Sequence, residues 1–136
     1  MFSYWGRINN YVRVSGEQLR LLLLQNVVEV KFTRRRPKPG SPSFRRMLAT
    51  NNYGLLNSIQ GRTALNYRPP SHNLEYDPKL KGLVVTWDIF MQDYRQIPAT
   101  AADVIAVIPA NDEFWEYFNS KLAFMSPKEK FDFMRV

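Results

Sequence analysis

Apolar positions change their spacing along this chain, and each change marks an element. Ser15 stands three residues before Gln18 and just ahead of Leu19 and the apolar run 21–24. This is the N-cap and capping-box spacing that opens a short helix, which is expected to end near Asn26. Val28, Val30 and Phe32 then alternate with Glu29, Lys31 and Thr33, the period of a half-buried strand rich in β-branched residues, and a strand is expected over 27–34. Pro37, Pro39, Gly40 and Pro42 make 35–43 a loop, because they deny the backbone both helix and central-strand geometry. A strand over 44–50 returns from it, so that the two form a hairpin.

Gly54 and Gly61 punctuate 51–70, where 63–67 reads as a short strand, and 69–81 is polar and loop-like. The clearest hairpin follows: a strand over 83–88 introduced by Gly82, a turn over 89–93 and a returning strand over 94–97. The apolar run 104–108 between Asp103 and Pro109 reads as a last, well-buried strand. Asn111 caps a helix whose first turn holds Asp112 and Glu113, where negative charge complements the helix dipole, and whose apolar face is Phe114, Trp115, Phe118 and Leu122. Ser126, Pro127 and Glu129 supply the N-cap, the first-turn proline and the capping-box acid of a final helix. Strands first and helices last indicate an α+β domain.

The chain has 136 residues, 45% of them hydrophobic, and no Cys. That is enough for one core without disulfide staples. It also removes thiol nucleophiles and thiolate metal sites and fits a reducing compartment, so a cytoplasmic location is expected. Residues 1–14 mix Trp5, Arg7, Asn9, Asn10 and Arg13 into their apolar positions, unlike a signal peptide, and the longest apolar run falls far short of a bilayer span, so no membrane partner is expected. The net charge of +7 is unevenly distributed. Residues 1–68 carry twelve Lys/Arg against two acids, Glu17 and Glu29, whereas 69–136 carry seven against ten. The basic excess peaks at Lys31, Arg34, Arg35, Arg36, Lys38, Arg45 and Arg46. Such a stretch points to an anionic partner, and the plain alternative is a solvated hairpin tip.

The order of elements carries a resemblance. The stretch 15–19, the strand Asn26-Val27-Val28-Glu29-Val30-Lys31-Phe32-Thr33, then Arg45-Arg46-Met47, Val85-Thr86-Trp87-Asp88 with Tyr94-Arg95, and Ala102-Asp103-Val104-Ile105 resemble small SH3-like β-barrel proteins of unknown function encoded by tailed bacteriophages. The match runs in short pieces over 15–108. It implies a small SH3-like β-barrel preceded by a short N-terminal helix, to which the sequence adds two C-terminal helices, and a phage origin that would put the protein in the host cell cytoplasm. It implies no activity, since fold does not fix function. Three parts depart from the family pattern: an aromatic N-terminal extension over 1–14, an insertion near 51–81 within the barrel region 15–110, and the helical pair 111–136, expected to pack on the barrel.

Candidate chemistry is sparse. His72 is the only histidine, so with no Cys a nitrogen and sulfur zinc site cannot be assembled, and no metal or cofactor is expected. No nucleophile–base grouping, P-loop, dinucleotide fingerprint or calcium loop is present, and the chain reads as a non-enzyme. Asp88 and Asp93 flank the turn of the clearest hairpin and are explained by turn chemistry, with Arg95 placed to pair with Asp88. Basic residues interleaved with aromatics remain. Small barrels bind nucleic acid by stacking bases on rings and pairing phosphates with Arg. The expected surface is Lys31, Arg34, Arg35, Arg36, Lys38, Phe44, Arg45 and Arg46, extended by Arg62 and Arg68, with DNA ahead of RNA as the ligand. The alternative is a protein-interaction module that docks on a host machine or a virion component through Tyr4, Trp5 and Tyr11 and the aromatic helix 114–122.

Overall fold

The capping box at Ser15 forms as its spacing predicts. Gln18 N donates to Ser15 Oγ at 3.1 Å and Ser15 N to Gln18 Oε1 at 2.9 Å, which starts α1 (Gly16–Gln25). These details come from a computed structural model, which describes residues 12–34, 39–40, 44–70, 77–100 and 102–135. From α1 the chain passes directly into β2 (Asn26–Thr33), then β3 (Phe44–Thr50), β4 (Leu83–Asp88), β5 (Asp93–Pro98) and β6 (Ala102–Pro109), with a two-residue β1 (Val12–Arg13) before the helix. All pairings are antiparallel, in the order β1-β6-β2-β3-β4-β5.

The ladder is therefore open among the described residues, with β1 and β5 at its ends, and the closed barrel implied by the resemblance is not formed. Two features bend it. The β2–β6 register slips between Glu29 and Val30, leaving Ile105 as an extra residue. β3 pairs with β2 along its whole length but with β4 only through Ala49 and Thr50, and the final helix lies against β3.

Strand alternation sorts the core onto both faces of the sheet. On one face Val28, Val30, Phe32, Met47, Ala49, Val84, Ile97 and Val104 meet Leu19 and Leu23 of α1, the last two fully buried. On the other, Val27, Leu48, Trp87 and Ile108 pack with Leu55, Leu56, Leu65 and Tyr67 and with Phe114 and Leu122. The second group includes the stretch expected as an insertion. It folds as α2 (Tyr53–Leu56) and α3 (Ile59–Ala64), N-capped by Asn52 and Ser58, and then a single 3-10 turn Pro78–Lys81. The short strand expected at 63–67 is thus replaced by the end of a helix, and the stretch is part of the core. α4 (Asp112–Ser120) and α5 (Pro127–Arg135) close the chain with the expected caps at Asn111 and Ser126.

Thr50, Asn51 and Asn52 hold these parts together. Thr50 Oγ1 donates to Asn26 O at 2.8 Å, Asn51 N to Leu23 O at 2.8 Å and Asn52 Nδ2 to Leu24 O at 2.8 Å. The last two satisfy carbonyls that the end of α1 leaves without helical partners. Asn51 Nδ2 also reaches Val85 O at 2.8 Å.

Candidate nucleic-acid interface

The β2–β3 hairpin carries the basic cluster, and its register decides what each charge can do. Lys31 lies opposite Arg46, Phe32 opposite Arg45 and Thr33 opposite Phe44. Lys31, Thr33, Phe44 and Arg46 therefore share one face, while Phe32, Arg34 and Arg45 share the face that α1 covers.

Arg46 and Arg45 are engaged within the fold. Arg46 Nε donates to Phe133 O at 2.8 Å, its guanidinium lies 4.3 Å from the Phe133 ring centre, and Nη1 is 3.8 Å from Glu29 Oε2. It fastens α5 to the sheet. Arg45 Nη2 donates to Asp88 Oδ2 at 2.5 Å, with the two side chains 17% and 1% exposed. The other carboxylate oxygen of Asp88 accepts from Phe90 N and Met91 N, both at 3.0 Å, and closes the turn after β4. Burial is the largest influence on both partners. It raises the Asp88 carboxyl above the usual Asp range and lowers the Arg45 guanidinium, against their mutual attraction.

The expected Asp88–Arg95 pair is corrected by this geometry. Asp88 faces Asp93 and Arg95 faces Thr86 across the hairpin, so Arg95 pairs with Asp93 at 3.2 Å. Asp88 is left to the arginine that β3 delivers from its other side. Asp93 is exposed, and the amide of Tyr94 followed by Arg95 holds its carboxyl below the usual range.

The two carboxylates therefore act on stability in opposite senses. Asp88, bound to its proton more tightly in the folded state, makes stability fall as pH rises from the ordinary Asp value to its raised one. Asp93 contributes stability above the ordinary value that is lost as pH drops through its lowered one. A carboxyl carbon-13 NMR titration is expected to give an Asp88 midpoint above the usual Asp value and an Asp93 midpoint below it; the reverse order would refute this assignment.

Toward the tip the charges change character. Lys31 Nζ sits 4.8 Å from the Phe44 ring centre, and that ring is 48% exposed. Arg34 is half-buried, and its Nε is enclosed with no hydrogen-bond partner. Arg62 and Arg68 are engaged elsewhere, Arg62 Nη2 with Asn57 Oδ1 at 3.0 Å and Arg68 Nη2 with Gln92 O at 3.2 Å. Arg35, Arg36, Lys38, His72, Tyr4, Trp5 and Tyr11 lie outside the described residues. Arg95 belongs with Arg34 and Arg45, because the charges of both Arg95 and Arg34 act on Arg45. The signal that could have placed it there is strand parity, which puts Thr86 and Asp88 of β4 and Arg95 of β5 on one face.

Of the aromatic helix, Phe114 is buried and Trp115 and Phe118 pack against the second core. The exposed rings nearby are Phe124 and Phe131. No group of acids and histidines suited to a metal occurs among the described residues, and no helix there is long and apolar enough to cross a membrane. Comparison with family models, with curated proteins and with solved structures gives no match to this chain.

Proposed function

We propose that this protein is a phage-encoded accessory factor of the host cytoplasm that binds nucleic acid, DNA ahead of RNA, by holding phosphates with the β2–β3 hairpin. The observation that carries this reading is the run of basic residues at the tip of the hairpin. The inner arginines Arg45 and Arg46 meet Asp88 and Glu29. From Arg34 outward the sequence adds Arg35, Arg36 and Lys38 with no acid up to Arg46. Lys31 and the half-exposed Phe44 stand at the base of that tip, a combination suited to phosphates and to the faces of bases. Within the same reading the sheet is an opened relative of the small SH3-like barrels, since β2 and β5 approach each other although no ladder joins them.

The test is a pair of charge reversals. Arg35→Glu with Arg36→Glu is expected to lower the slope of log affinity against log salt for a DNA duplex by about two, the number of phosphate contacts removed. Reversing Lys128 and Lys130 on α5 is expected to leave it unchanged. Equal slopes in the hairpin variant and the unaltered protein would remove the hairpin from the interface.

A second reading has its own observation. Phe124 and Phe131 are 78% and 53% exposed, more apolar surface than the C-terminal segment needs for packing, and a host or virion protein could cover it. A partner captured from bacterial lysate that survives nuclease and high salt, and is lost on Phe131→Ser, would favour this reading over nucleic acid.

A further inference from the structure

We propose that the polar end of the α1-covered face is a seat for a single phosphate group, formed by Arg34 and Arg95 on either side of the Arg45–Asp88 pair. The apolar part of this face ends with Phe32, Met47, Val84 and Ile97. Beyond it, strand alternation places Arg34 just after β2, Arg45 of β3, Thr86 and Asp88 of β4, and Arg95 and Asp93 of β5 on the same side of the sheet. Three guanidinium groups thus share this end of the face, and the charges of Arg34 and Arg95 both act on the buried Arg45.

The carboxylates on this face are committed: Asp88 to Arg45 and to two amides, Asp93 to Arg95 from an exposed position. That leaves Arg34, whose Nε is enclosed with no acceptor, and the Thr86 hydroxyl, buried and equally without one. Buried polar atoms ordinarily have partners, and two orphan donors on a face that also carries three like charges indicate a missing acceptor. A phosphate suits it, being anionic, compact and able to accept two parallel N–H bonds from a guanidinium.

The phosphate can be free or part of a strand crossing the hairpin, and the inference rests on the nucleic-acid reading only for the second source. The experiment titrates inorganic phosphate against chloride at constant ionic strength, following melting temperature and the Arg34 Nε–H resonance. Saturable stabilisation and a shift of that resonance are expected, with the apparent affinity reduced at least about tenfold in Arg34→Gln and in Arg95→Gln and unchanged in Arg62→Gln. Both variants keep the Arg45–Asp88 pair and are expected to fold.

An oligonucleotide that reproduces the Arg34 shift and displaces phosphate would support the seat and identify its occupant as a strand phosphate. Phosphate saturation with no DNA binding at low salt would also support the seat, with a free phosphate as ligand, while the nucleic-acid reading falls. Stabilisation that fails to saturate, or that persists unchanged in both variants, would overturn the proposal.

Discussion

Replacing Asp88 with alanine is expected to remove about 3–5 kcal/mol of stability, the cost of stranding one partner of a buried ion pair. Arg45 would remain enclosed without its carboxylate partner, with the charges of Arg34 and Arg95 acting on it, and the amides of Phe90 and Met91 would lose their acceptor. In a domain of this length the fall corresponds to roughly 10–15 °C in Tm. A paired replacement separates the ion pair from simple packing. Because burial outweighs attraction on both groups, Arg45→Met with Asp88→Leu is expected to be more stable than Asp88→Ala alone. Urea unfolding of the three proteins makes the comparison, and a double variant less stable than the single one would mean that the pair is worth more than its desolvation. This pair fixes β3 against the β4–β5 hairpin.

Gly61→Ala is the second large effect, expected at about 3 kcal/mol through overpacking. Gly61 lies buried in α3, and a Cβ there would stand 2.2 Å from Leu55 O and 2.4 Å from Leu56 O. Both are backbone atoms of the preceding turn, so a rotamer change cannot relieve the contact. The corner would have to open, drawing Leu55, Leu56 and Leu65 away from Trp87 in the second core. Chemical denaturation measures the loss, and a variant within about 0.5 kcal/mol of the unaltered protein would show that the corner yields more easily than its contacts imply. The change is remote from the hairpin, so the folded fraction is expected to bind DNA with the same salt slope.

Sequence reading reached those elements whose signals are local. The capping box at Ser15, the Asn111 and Ser126 caps and the Leu83–Asp88 hairpin each depend on residues a few positions apart, and each forms as expected. Asn52 and Ser58 carried the same kind of signal for α2 and α3. Gly54 and Gly61 obscured it by lowering helix propensity, and the apolar spacing of Leu65 and Tyr67 imitated a strand. β1 has only two residues, too few to show a period, and is held by pairing with β6 and by the Arg13–Asp103 ion pair.

The candidate site was legible as a cluster but not as a division of labour. Arg45 and Arg46 look identical to Arg34 in the sequence. Their distinction comes from Asp88, 43 positions away, and from Phe133, 87 positions away, partners that only the tertiary fold supplies.

The proposed function rests on the basic tip of the β2–β3 hairpin holding phosphates. Its most direct test is the affinity of the unaltered protein for a fluorescent DNA duplex across a salt series at neutral pH. Arg34, Arg35, Arg36 and Lys38 acting together predict a straight line of log affinity against log salt with a slope of about −4. Absence of binding at low salt, or binding indifferent to salt, would contradict it.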